Sequence, residues 1–75
     1  MTDFESVQAL VRVNGEQEPL RVRTIAALLA EKEVPAGKKG IAVALNGRVV
    51  PRGDWNDTPL AAGDTVEIVL ARQGG

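Results

Sequence analysis

The 75-residue sequence contains no cysteine and no histidine. Disulfides, thiol chemistry, imidazole catalysis and Cys/His zinc sites are therefore excluded together. Absent cysteine also removes an iron–sulfur role, and it suits the reducing cytoplasm. Aromatic residues are almost missing, with one Phe and one Trp, at Phe4 and Trp55. Positive charge is not in excess: nine Lys+Arg against ten Asp+Glu give a net charge of −1. A nucleic-acid partner, whose binding relies on phosphate neutralisation, is not expected. Nor is a membrane. Apolar runs such as Ile41–Leu45 are far too short to span a bilayer, and Met1–Ser6 carries Asp3 and Glu5 rather than a signal-peptide pattern.

What is present is 44% hydrophobic residues, mostly Ala, Val and Leu. That content fits one compact domain near the lower size limit for an unaided core. So small a chain leaves little interior for a deep catalytic pocket. A carrier, an adaptor or an inhibitor is favoured over an enzyme.

Residues 1–6 read as a frayed polar lead, 7–70 as the domain and 71–75 as a flexible C-terminal tail. Val7, Ala9, Val11 and Val13 alternate with polar residues, Leu10 excepted, which predicts a strand. Asn14-Gly15 predicts a tight hairpin turn. A second strand is expected to follow with Leu20 and Val22 inward and Arg21 and Arg23 outward. Pro19, lacking an N–H, puts it at a sheet edge. Thr24 suits a helix N-cap, and Ile25, Leu28 and Leu29 form one apolar stripe. Lys32 takes the next stripe position, where its stem can cover the core while its ammonium reaches water. Val34-Pro35 is expected to end the helix. Ile41–Leu45 reads as a strand covered on both sides or nearly so, Asn46-Gly47 as a turn, and Val49-Val50 as a short strand closed by Pro51. Arg52–Leu60 is an irregular connection in which Trp55 plugs the sheet edge. Gly63-Asp64 turns the chain into a last strand, with Val66, Ile68 and Leu70 on one face and Thr65, Glu67 and Val69 on the other. One helix across a five-strand sheet is an α+β two-layer arrangement. The uncovered face keeps apolar residues, and Leu10 and Val69, with Ala71 beyond them, are candidates for partner docking.

No catalytic constellation is visible. Ten carboxylates without histidine or cysteine read as solvated surface, and Gly37-Lys38-Lys39-Gly40 lacks the spacing of a phosphate loop. The Gly74-Gly75 end is different. Residues without side chains pass narrow channels and allow close backbone approach. Five extended residues from Ala71 reach roughly 17 Å, enough to enter another protein's active site. An α-carboxylate is ionised at neutral pH and is a poor acyl donor, so it needs activation before a nucleophile can attack.

Thr24-Ile25 with Leu28-Leu29, Ala44-Leu45-Asn46-Gly47, Val49-Val50-Pro51-Arg52 with Trp55, Leu60 with Gly63-Asp64, Val66-Glu67-Ile68-Val69 and Gln73-Gly74-Gly75 together resemble the thiamine-biosynthesis sulfur carriers. The resemblance runs from about Val11 to Gly75. The Val-Pro-Arg and Trp segment separates it from the molybdopterin-synthase small subunits, and Lys32 departs from it where a leucine is expected. It implies a ubiquitin-like β-grasp fold with a mixed sheet of about five strands and one helix across one face. It also implies a cycle. A ubiquitin-activating-type adenylating enzyme uses MgATP to adenylate the Gly75 carboxylate, a persulfide donor converts it to a thiocarboxylate, and a thiazole synthase receives the sulfur. Gly74 gives clearance, and Arg72 and Gln73 position the tail. No cofactor is expected to be bound, and the chain is a co-substrate rather than a catalyst. Two other roles remain open: a ubiquitin-like modifier conjugated through Gly75, and a carrier for molybdopterin or another sulfur-containing metabolite. A binding module of the β-grasp type found on RNA-handling proteins is a further possibility.

Overall fold

The structure, a computed structural model, describes residues 9–35 and 39–70. The expectations for the lead at residues 1–6, for Val7, and for the tail at 71–75 lie outside the described residues. In chain order the elements are strand β1 (Leu10–Val13), β2 (Glu16–Pro19), helix α1 (Ile25–Glu31), β3 (Ile41–Leu45), β4 (Arg48–Val49) and β5 (Thr65–Leu70). A short 3-10 turn, Arg52–Asp54, precedes β5.

The five strands form one mixed sheet in the order β2-β1-β5-β3-β4. β1 and β5 are parallel, while the other neighbours are antiparallel. Both hairpin turns follow from sequence chemistry. Asn14 and Gly15 have φ of 51° and 89°, and Asn46 and Gly47 have 52° and 87°. Positive φ at two successive residues matches the strand twist, and Asn followed by Gly reaches it at low cost.

The helix closes over one face of the sheet. The N–H groups of its first three residues have no partner in the helical ladder, and each finds an acceptor outside it. Thr24 Oγ1 accepts from Ala27 N at 3.1 Å and Thr24 O from Leu28 N at 3.0 Å. Trp55 O accepts from Ala26 N at 3.0 Å and Thr58 O from Ile25 N at 3.1 Å. The connection before β5 thus caps α1 from outside. Ile25, Leu28 and Leu29 are buried against Val11, Val13, Ile41, Val43, Val66 and Leu60. Full burial of each such side chain stabilises by about 1.5–3 kcal/mol.

Three expectations need correction. The second strand lies at Glu16–Pro19 and ends before Leu20. The two-residue turn sets the register, so that Glu16 faces Val13 and Pro19 faces Leu10. Leu20 and Val22 still pack on the core, but on the segment leading to the helix. β2 is an edge strand, as Pro19 indicates. Second, β3 is covered on one face only: Ile41 and Val43 are buried and Ala42 is exposed. Third, α1 ends at Glu31, ahead of Val34-Pro35. Glu33 takes φ 62°, its N–H donates to Ala30 O, and Val34 N–H donates to Leu29 O. This is a Schellman ending, with a glutamate where glycine is usual.

Candidate functional site: the end of β5 and the open sheet face

β5 is the middle strand of the sheet and the last described element, and Gly74-Gly75 follow it in the sequence. Its β3 edge is paired along its whole length, from Leu45↔Val66 to Ile41↔Leu70. Its β1 edge is paired only at Arg12↔Thr65 and Val13↔Val66, because β1 turns away at Asn14. Two asparagine side chains complete the edges. Asn14 Oδ1 accepts from Ile68 N at 2.7 Å, and Asn14 Nδ2 donates to Ile68 O at 3.3 Å. At the other end, Asn46 Oδ1 accepts from Thr65 N at 2.9 Å, while Asn46 Nδ2 donates to Asp64 Oδ1 at 3.0 Å. Asp64 Oδ2 in turn accepts from Ala61 N at 2.8 Å. Sequence reasoning used both asparagines for their turns alone. Their position one residue past a strand end was the available signal.

The proposed docking residues are separated by the structure. Leu10 and Val69 both point to the open face, at 38% and 57% exposure. However, Leu10 is level with Gly63, since Arg12 pairs with Thr65. Val69 stands six residues further along, about 20 Å away at 3.3 Å per residue. Leu10 instead borders a shallow groove with Arg12, Gln17 and Asp64. Beside Val69 lies Ala42, its cross-strand partner, and on the same face Ala44 pairs with Val49, which is 75% exposed. Leu70 is also exposed, at the end of β5 beyond the core. Ala71, Arg72, Gln73, Gly74 and Gly75 lie outside the described residues.

Trp55 is buried at 3% exposure, and its indole N–H donates to Val50 O at 2.9 Å. Its role is packing, as expected. The Arg52 guanidinium lies 4.9 Å from the Trp55 ring centroid, a cation–π distance. Lys32 is exposed, and its ammonium meets the Glu18 carboxylate at 2.6 Å. Among the described residues no helix is long and apolar enough to cross a membrane.

A five-strand mixed sheet with parallel first and last strands in its middle and one helix across it is the β-grasp fold, the class that includes ubiquitin-like proteins. Within that class the sequence matches the ThiS family over residues 4–75, and the chain belongs to that family. It is 41% identical over 66 residues to the sulfur carrier protein ThiS of Thermus thermophilus, spanning 88% of this chain and 100% of the relative. The crystal structure of the thiamine biosynthesis protein ThiS from Geobacter metallireducens superposes with a TM-score of 0.72 at 29% identity, over 88% of this chain and 99% of that one. A solution structure of a thiamine biosynthesis protein from the same organism gives 0.71 at 28%, over 88% and 87%.

Proposed function

We propose that this protein is a sulfur carrier for thiamine biosynthesis, not a catalyst, and that its working group is the Gly75 carboxylate. The observation that carries this reading is the 41% identity to a protein named as a sulfur carrier, within a family match that extends to residue 75. A partner of the ubiquitin-activating type uses MgATP: the carboxylate displaces pyrophosphate and forms an acyl-adenylate. The terminal sulfur of a persulfide then attacks the acyl carbon and AMP departs. Cleavage of the remaining S–S bond by a thiol leaves the thiocarboxylate. The sequence has no cysteine, so persulfide and thiol both come from partner molecules. A thiocarboxylate is an anionic sulfur nucleophile, and the anionic form of sulfur is the reactive one. Thiazole synthase is the receiver, and the cycle belongs in the cytoplasm.

Gly74 gives the partner's backbone room to approach, and Arg72 and Gln73 guide the tail. Val69, with Ala42 beside it and Ala71 further along the chain, supplies the docking contact of the open face. Leu10 shares the open face but stands about 20 Å from Val69 along it.

Incubation with MgATP, the activating enzyme and a persulfide source should raise the intact mass by about 16 Da, one oxygen replaced by sulfur. Removing Gly75 should abolish that gain while leaving the melting temperature unchanged, because glycine has no side chain to bury. An unchanged mass accompanied by a ladder of heavier conjugates would reject sulfur carriage in favour of a protein modifier.

A further inference from the structure

We propose that Asn14 is a positioning residue for activation at Gly75, acting through β5 rather than touching any reacting atom. The inference rests on Gly75 being activated by a partner, as proposed above. The parallel ladder between β1 and β5 runs through Arg12 N to Asp64 O at 3.0 Å and Asn14 N to Val66 O at 2.9 Å. The following rungs would need two more backbone groups from β1. Those groups are gone, because Asn14 and Gly15 at φ 51° and 89° reverse the chain into β2. The Asn14 side chain is an amide like the peptide group, with one acceptor and one donor side. Its Oδ1 takes the Ile68 N–H at 2.7 Å and its Nδ2 reaches the Ile68 carbonyl at 3.3 Å. Two residues of ladder are replaced by one side chain.

Ile68 is therefore the last residue of β5 held from both sides. Beyond it, Val69 and Leu70 pair only with Ala42 and Ile41 of β3 among the described residues. A strand end held on one edge can pivot about that edge, whereas one held on both edges has its direction fixed. The two bonds are exposed, so each adds little to stability. Their larger effect is on direction. A misplacement of about 1 Å at a reacting group can cost up to about 100-fold in rate, and activity scales with the fraction of molecules in the competent arrangement. Val69 keeps its pairing with Ala42 when the clamp is lost, so docking changes less than the direction of the strand end. Loss of the clamp should thus lower kcat and spare KM for the carrier.

The turn and the clamp can be separated. Asn14→Gly keeps the positive φ and deletes both bonds. Asn46→Gly does the same at the other end of β5, where the side chain holds Thr65 N at 2.9 Å. Both variants and the wild-type protein should be compared for melting temperature, for ATP–pyrophosphate exchange with the activating enzyme, and for amide exchange and 15N relaxation at residues 68–70. The expected result is that both variants melt lower, and only Asn14→Gly loses about 5- to 50-fold in kcat, with KM within about twofold. The Ile68 amide should then exchange at least about tenfold faster. Asn14→Asp, which keeps the acceptor for Ile68 N–H, should fall between. Equal kcat for Asn14→Gly and Asn46→Gly overturns the proposal, and so does unaltered Ile68 exchange. Should wild-type protein fail to support exchange of pyrophosphate, activation at Gly75 is rejected. The clamp is then decided by relaxation alone: increased motion of Val69 and Leu70 in Asn14→Gly supports it, and unchanged motion overturns it.

Discussion

Replacing Glu33 by glycine should make the protein more stable, although glycine usually weakens a fold. Glu33 sits at φ 62° just past the helix C-cap Lys32, a left-handed position that costs a residue with a Cβ about 1–2 kcal/mol. Glycine avoids that strain but brings about 0.5–1 kcal/mol of extra backbone entropy in the unfolded chain. The difference leaves about 0.5–1 kcal/mol in favour of the variant. Glu33 is exposed, so little packing is lost with its side chain. Removing a negative charge beside the negative end of α1 adds a few tenths of a kcal/mol. Glu33→Ala isolates that charge effect, since alanine retains the Cβ and its strain. In a domain this small, 1 kcal/mol corresponds to about 4–8 °C. Differential scanning calorimetry of the three proteins should place Glu33→Gly about 2–8 °C above Glu33→Ala. A glycine variant melting at or below the alanine variant would refute the assignment of strain to this position.

Trp55→Phe deletes the bond to the buried Val50 carbonyl and part of the ring volume, and urea titration followed by circular dichroism should show a loss of about 2–4 kcal/mol. Thr24→Ala removes the acceptor for Ala27 N and should cost about 1 kcal/mol by the same titration. A double-mutant cycle of Glu18→Ala and Lys32→Ala should give a coupling of about 0.5 kcal/mol that shrinks in 1 M salt, because the pair is partly exposed. Val69→Arg should raise the carrier KM for activation by about tenfold or more while shifting the melting temperature by less than about 2 °C, given its 57% exposure.

Local chemistry made much of this fold legible. The Asn-Gly pairs at 14–15 and 46–47 take the positive φ values their sequence suggests, Thr24 caps α1, and the stripe Ile25, Leu28, Leu29 is buried. Each is decided within four residues. The errors arose where register or distant groups decide. Leu20 and Val22 alternate like a strand, yet the hairpin turn assigned the pairing to Glu16–Pro19. The continuous apolar run of β3 suggested cover on both faces, whereas its two alanines are small enough to face outward at little cost. The bond from Asn14 to Ile68 joins residues 54 positions apart, and the Trp55 carbonyl at the start of α1 depends on how the connection before β5 wraps the sheet. Periodicity carries no information about either. The same holds for the docking face: Leu10 and Val69 share an orientation that alternation reveals, and the offset between them follows only from the parallel pairing of β1 with β5.

The central placement of β5 bears on how the molecule responds when a partner pulls on its C-terminal end. A load applied there enters along the axis of β5 and is shared at once by the rungs to β3 and by those to β1 and Asn14. Those bonds are strained side by side in shear, not peeled open one after another. On the proposed function, tension applied to that end would load the domain without unravelling it.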